Sequence, residues 1–448
     1  MQAIGSIKWK GLAVVTMCLA ALVGCSSGGS GGKTAEPPAP GTTAPKTEAP
    51  KEKVEISFWY SWRGAEGEAM EKAIADFNAS QDRIVVKGTL ETDQKKQLTA
   101  ITGGSPPDVA NNFGYNSAAW GIQGAMTPLD SYMQKTGLKA SDFIPAAIQQ
   151  TQYKGVTYAM PLAMHIRMLF YNKDILAQAG YDKPPETVQQ LEEYYDKLNV
   201  IEPSGEIKRL AINPNLDIYH YAYMFGGGFY DFAKQEISPQ SPGFIKALTF
   251  MNNLHQKVGG LEKLNAFYKT FGQNGKPDDP FFVGKYAMVS AGEWYGTMIK
   301  NNAPANFNYG IAPMPYDAET PDKRGSAVVN ASTLYIPKGA KHPDEAWEFI
   351  NWFMQPKNMA KFDAAIGNLP TTPKAMDEPA FKDVPGFKEY FEASKHKNVV
   401  TFPSIPFTED YQKAIVQGTS EVFGGKVSPE VAAKTIADKM KPLVEQHK

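Results

Sequence analysis

The chain has 448 residues, a formal net charge of −1 and 21% charged residues, a balance that argues against nucleic acid or an anionic membrane surface as partner. Aromatic residues make up 12%, including 21 Tyr and 7 Trp, which suits stacking on flat ligands or a large core equally well. Its six histidines are scattered, and no His-Glu-x-x-His, P-loop or EF-hand pattern occurs, so no metal or cofactor is expected.

Lys8 and Lys10 precede an apolar stretch, Leu12 to Val23, that is too short to cross a bilayer as a stable helix. It ends in Leu22-Val23-Gly24-Cys25, and small residues before a cysteine resemble a bacterial lipoprotein signal. Residues 1–24 are therefore expected to be removed and Cys25 to carry the lipid, anchoring the protein outside the cell membrane. An ordinary secretory signal ahead of a chance cysteine is the alternative. The other cysteine, Cys18, lies in the removed part, so the mature chain has no internal disulfide and no cysteine nucleophile. Residues 25–53 read as a tether of Gly, Ser, Pro, Ala, Thr, Glu and Lys that cannot bury a core. Gly28-Gly29-Ser30-Gly31-Gly32 matches the hydrolase elbow pattern but lacks the strand before it and the helix after it.

About 395 residues follow, enough for two or three domains. Val54 to Trp59 reads as a strand. Glu66 to Asn78 reads as a helix with Ala69, Met70, Ala73, Ile74 and Phe77 on one face, and Ile84 to Lys87 as the strand that completes a βαβ unit. A second helix spans Gln94 to Thr102, and a short strand leads into the polar, aromatic loop Asn111 to Tyr115. Trp62, Arg63, Asn112, Tyr115 and Asn116 thus all follow strand ends on one side of this lobe. Thr187 to Leu198 is predicted as a helix with Thr187 as N-cap and Gln190 three residues on. Tyr219 and Tyr223 share a helical face ahead of a tight turn at Gly226-Gly227-Gly228, as packing or as ligand contacts.

Gly284 to Tyr295 carries the strongest local signal. Tyr286 to Ala291 is a short apolar run of the kind a strand buried on both faces shows. Gly292 breaks it, and Glu293, Trp294 and Tyr295 follow on a rigid frame at the strand's carboxyl end, where open α/β sheets place ligands. The indole is a flat apolar plate and the carboxylate accepts hydrogen bonds from hydroxyls; a core role for Trp294 is the other reading. Further on, Pro343 opens a helix with the stripe Ala346, Trp347, Ile350 and Phe353, and Ser428-Pro429-Glu430 starts a final amphipathic helix.

Six motifs in order resemble the extracellular solute-binding proteins of bacterial sugar ABC importers, of the maltose-binding type. They are Phe58-Trp59-Tyr60-Ser61-Trp62, Gly103 to Val109, Met126 to Asp130, Tyr158 to Asp174, Gly284 to Trp294 and Tyr309 to Pro315. The resemblance covers nearly all of the chain from Val54. It implies an α/β, periplasmic-binding-protein-like fold: two lobes joined by a multi-crossing hinge, with a ligand cleft between them. Residues 54–162 and 331–372 would form lobe 1, and residues 163–330 and 373–448 lobe 2. The first crossing would follow the hairpin Gly155 to Leu162, placing Met164 and His165 at the cleft. Gly325 to Pro337 resembles the second crossing, with Asn330 and Ala331 where the family usually has glycine. Asn368 to Thr371 resembles the loop before the last crossing.

The implied function is capture of a carbohydrate, expected to be an oligosaccharide, and its delivery to ABC permease subunits by a monomer. A pyranose has apolar C–H faces that stack on aromatic rings and a hydroxyl rim that needs buried hydrogen-bonding groups. Trp62, Tyr115 and Trp294 are the candidate plates. Arg63, Asn112, Asn116 and Glu293 are the candidate rim partners, with His165, Tyr219, Tyr223, Tyr295, Asn330 and Asn368 nearby. Arg63 and His165 suit an acidic sugar as well as a neutral one. Two rivals stay open. A secreted glycosidase could hide two catalytic carboxylates among 47 acidic residues, and a binder of polyamine, amino acid or phosphate would need clustered carboxylates, helix N-termini or paired Arg.

Overall fold

A computed structural model describes residues 53–447; the signal segment, Cys25 and the tether through residue 52 lie outside the described residues. The first strand, Val54–Tyr60, buries Ile56, Phe58 and Tyr60 on alternate positions, as a half-covered strand must. The helix Ala65–Ser80 lays Met70, Ala73, Ile74 and Phe77 over it, and the chain returns in parallel as Ile84–Leu90. Asp93 caps the next helix, Gln94–Thr102, by accepting from Lys95 N. The predicted capping box also forms, Thr187 and Gln190 closing the first turn of Val188–Leu198.

Two sheets organise the two α/β lobes. The larger has seven strands. Along it lie Leu369–Pro370, Met160–His165, Ala327–Tyr335, Val109–Phe113, Val54–Tyr60 and Ile84–Leu90, with Val399–Thr401 beside the start of Ala327–Tyr335. The smaller is an antiparallel trio, Met288–Ala291, Met168–Asn172 and Tyr309–Ala312. Met160–His165 ends in the larger sheet and Met168–Asn172 begins in the smaller, so the chain changes sheets at Ile166 and Arg167. The strand Ala327–Tyr335 runs antiparallel to Met160–His165, pairing Asn330 with His165 and Ala331 with Met164. A fully buried glutamine pins this junction: Gln150 donates to Phe402 O and Val329 O and accepts from Ala331 N.

Two local readings change. Asn111 to Phe113, expected in a loop, is strand, because Asn111 and Asn112 pair with Leu334 and Thr333 of the long crossing strand. Asparagine disfavours strands on its own; here Asn112 Oδ1 accepts from Phe113 N and Asn116 Nδ2. The run expected as a strand from Tyr286 is strand only from Met288, with Val289 and Ser290 half-buried rather than covered on both faces. Tyr286 N instead donates to Pro280 O and Ala287 N to Leu210 O. Gly292 ends the strand as expected, and the helix Trp294–Asn302 starts at once.

Asp363, on the helix Pro356–Ile366, is fully buried, and neither carboxylate oxygen has a hydrogen-bond partner among the described residues. Burial, with a smaller contribution from Glu293, holds its carboxyl well above the usual carboxylate range. A raised folded-state pKa means that the native protein keeps a proton the unfolded chain releases. Stability is therefore lost as pH rises between the two values, at about 1.4 kcal/mol per pH unit. Asp363→Asn should raise the melting temperature, and its advantage over wild type should widen in thermal melts from pH 5 to pH 8. A constant difference across that range would show that Asp363 is ionised in the native state.

Candidate functional site

Polar and aromatic groups converge where the two sheets meet. A cavity of about 450 Å³ is walled on the larger sheet's side by Ser61, Trp62, Glu66, Phe113 and Asn368. Arg167, Asp217, His220, Trp294 and Met298 wall the other side, and His165, Asn330 and Ser332 come from the crossing strands. The ends of parallel strands deliver Ser61 and Trp62, since each strand's last residues emerge where its following turn begins. Asn330 and Ser332 stand two apart on one strand, so both face the cavity.

Glu293 lies beneath this wall, 2% exposed. Its Oε1 is 2.7 Å from His165 Nδ1 and its Oε2 accepts from Ile166 N at 3.2 Å. A carboxylate only accepts, so His165 Nδ1 carries a proton toward it, and Nε2 lies 2.9 Å from Ser332 Oγ, within hydrogen-bond distance. The chain Glu293–His165–Ser332 joins the helix of the second lobe to both crossing strands. Trp294, half-buried, presents its ring edge-on to His165 at 5.5 Å between centroids. Its indole folds back over Gly292, where a Cβ would lie 2.1 Å from the ring, so only glycine admits this rotamer. Gly367, at φ +73, lets the loop carrying Asn368 approach Thr297 on the same helix.

On the same side as Trp294, Asp217 caps the helix Ile218–Met224 by accepting from Tyr219 N. Its Oδ2 lies 3.0 Å from His220 Nδ1, close enough for an ion pair though off-line for a hydrogen bond, and 3.9 Å from Arg167 Nε. Burial pushes the Asp217 carboxyl up, but His220 and Arg167, helped by the cap, outweigh it and hold it below the usual range. Arg167 also donates to Ser290 O at 3.2 Å. Glu66 moves the other way: burial raises its pKa, His165 opposes and nearby Glu293 adds. Asn330 Oδ1 is buried without a partner among the described residues, an acceptor left for a ligand hydroxyl.

Of the residues singled out in the sequence, Trp62, His165, Trp294, Asn330 and Asn368 line this cavity, and Glu293 supports it. The others lie elsewhere. Arg63 is exposed and bonds Thr92. Asn112 and Asn116 are buried and bond each other. Tyr115 stacks on Phe113 and sits edge-on to Phe402. Tyr219 and Tyr223 pack against Phe229, the packing alternative of their shared helical face. Tyr295 is buried in the core and donates to Asp279. Sequence reading missed Glu66, Arg167, Asp217, His220 and Ser332. Arg167 left a trace: it is a lone cation in the otherwise apolar run from Ile166 to Phe170.

Two α/β lobes, a chain that crosses between them more than once, and a polar, aromatic cavity at the crossing define a two-lobed binding protein. The chain belongs to the bacterial extracellular solute-binding proteins, a family it matches over residues 72–389. Among curated relatives, it is 24% identical over 422 residues to the sn-glycerol-3-phosphate-binding periplasmic protein UgpB of Escherichia coli (strain K12), covering 87% of this chain and 92% of that one. Among solved structures, CpMnBP1 with mannobiose bound is 27% identical, with a TM-score of 0.76 over 87% of this chain and 100% of the other. The sugar-binding protein MalE of Xanthomonas citri shares the fold at 23% identity, with a TM-score of 0.72 over 88% and 98% of the two chains.

Glu293→Leu leaves the buried Ile166 N and the part-buried His165 Nδ1 without their acceptor, each a loss of about 1–3 kcal/mol. Urea unfolding should show the protein destabilised by about 3 kcal/mol or more. Glu293→Gln keeps one acceptor and should lose less than half as much. Equal losses for the two variants would mean that side-chain volume, not hydrogen bonding, is what Glu293 supplies.

Proposed function

We propose that the protein captures a neutral carbohydrate in the cavity between its lobes and hands it, chemically unchanged, to the permease of an ABC importer. The observation that carries this reading is the composition of one cavity: the apolar plates Trp62 and Trp294 beside Asn330, Asn368, Ser332 and His165. A pyranose needs that pairing, with rings for its C–H faces and mixed donors and acceptors for its rim. Mannobiose in CpMnBP1 supports the same ligand class.

The charges favour a neutral ligand over the rivals. The cavity has one arginine, which donates to Ser290 O and lies 3.9 Å from the Asp217 carboxylate, so a phosphate would meet a neighbouring negative charge in place of the paired arginines that clamp it best. A polyamine would need unmatched carboxylates, yet Asp217 is matched by His220 and Arg167, and burial favours the protonated form of Glu66. The glycosidase reading needs two carboxylates facing the scissile bond. Glu293 spends both oxygens on His165 and Ile166 N.

The test is calorimetry and thermal shift with mannobiose, maltose and sn-glycerol 3-phosphate, since a ligand of the native state raises the melting temperature by mass action. A neutral disaccharide should bind and be recovered intact, and glycerol phosphate should not compete. Trp294→Ala should keep most of the ligand-free melting temperature and lose about 2 kcal/mol of binding, roughly thirtyfold in affinity. Binding of glycerol phosphate alone, or release of reducing ends, would overturn the reading.

In the same reading the lobes are residues 54–162 with 331–372 and residues 163–330 with 373–448, closing on the ligand about the crossings. Lipid on Cys25 holds the protein at the outer face of the cell membrane, beside its permease. Labelled fatty acid should enter wild type but not Cys25→Ser, which should be released or left unprocessed. An unlabelled wild-type protein would refute the anchor.

A further inference from the structure

A second cavity, of about 550 Å³, lies within reach of the first and shares Arg167 and Asp217 with it. Asn213, Asn215, Tyr268, Phe271, Asn274 and Ser290 line it, and the proposed function assigns it nothing. Its walls are built rather than incidental. Tyr268 Oη donates to Asn213 Oδ1 at 2.8 Å and accepts from Asn215 Nδ2 at 3.1 Å. His255 Nε2 lies 2.8 Å from Asn215 Oδ1. The loop that carries Asn274 is held by Asp279, 1% exposed, which accepts from Gly275 N, Phe281 N and the Tyr295 hydroxyl. Tyr295 stands one residue from Trp294, so the two cavities share one rigid helix start.

This lining has the chemistry of a sugar site without a net charge requirement. Tyr268 and Phe271 are half-buried rings set at 72° to each other, offering apolar faces. Neither Asn213 Nδ2 nor the Asn274 amide makes a hydrogen bond to another described residue, and amides serve hydroxyl rims as donor and acceptor together. The only charged groups on the shared wall, Arg167 and Asp217, face each other. Their side chains are about one-third exposed and separated by 3.9 Å, a loose pair that a chain of hydroxyls can cross and bond on both sides.

We propose that the second cavity continues the first, and that it holds the third and later rings of a neutral oligosaccharide passing over the Arg167–Asp217 pair. The inference rests on the carbohydrate reading above and deepens it: ligand length is read by Asn213, Tyr268, Phe271 and Asn274. Calorimetry of the full protein with mannobiose, mannotriose and mannotetraose, and with the matching maltose series, tests it. In at least one series wild type should bind three or four rings about fivefold or more tighter than two. Phe271→Ala should abolish that gain while leaving disaccharide affinity within about twofold. Asn274→Ala, at an exposed position with no packing to lose, should reduce the gain in the same direction. Trp294→Ala should weaken all lengths alike. Affinity independent of length, or a gain untouched by both Phe271→Ala and Asn274→Ala, overturns this inference and leaves the carbohydrate reading standing. Failure of wild type to bind any member of either series overturns both.

Discussion

A buried carboxylate organises the junction of this protein. Glu293 is almost wholly removed from water and meets the cost of that burial with two hydrogen bonds, one to the backbone of Ile166 and one to His165. Both partners lie on the segment where the chain changes sheets, and His165 passes the contact on to Ser332 of the other crossing strand. A charge in low dielectric tolerates little displacement of its partners. The second-lobe helix that carries Trp294 is thereby fixed to the two strands that join the lobes, and the indole is held at a set angle over the cavity.

The same economy appears around it. Gln150, fully buried, uses both ends of its amide to hold Val329, Ala331 and Phe402 together. Asp217 satisfies a helix N-terminus and offsets His220 and Arg167 at once. Each group does structural work with one side and faces the cavity or the hinge with the other. That arrangement fits a binding site whose two walls belong to different lobes, because it keeps each wall rigid while leaving the space between them open.

The elements near the start of the chain were legible because their signals are local. Alternating apolar residues in Val54–Tyr60, the three- and four-residue spacing of Met70 to Phe77, and the Thr187–Gln190 box all act within a few residues. Asn111 and Asn112 misled for the opposite reason: what makes them strand is Ala327–Tyr335, more than two hundred residues away. Trp62 and Trp294 could be picked out because an aromatic just past a strand end is conspicuous in one dimension, and His165 because the family resemblance places it at a crossing. Ser332 and Asp217 could not, since a serine within a strand and an aspartate before a helix have ordinary local explanations.

By itself, then, the sequence determined the βαβ start, the caps, the turn at Gly292 and, through six ordered motifs, the two-lobed class. Periodicity and glycine placement are enforced by the backbone wherever the segment ends up. Tertiary structure alone decided which side chains share a cavity. It sent Arg63 to solvent, Asn112 and Asn116 into a buried pair and Tyr295 into the core, and it brought Arg167, Asp217, His220 and Ser332 to the walls. Cavity lining depends on which face of each strand meets the other lobe, and that is set by pairing and packing between distant segments rather than by any local preference.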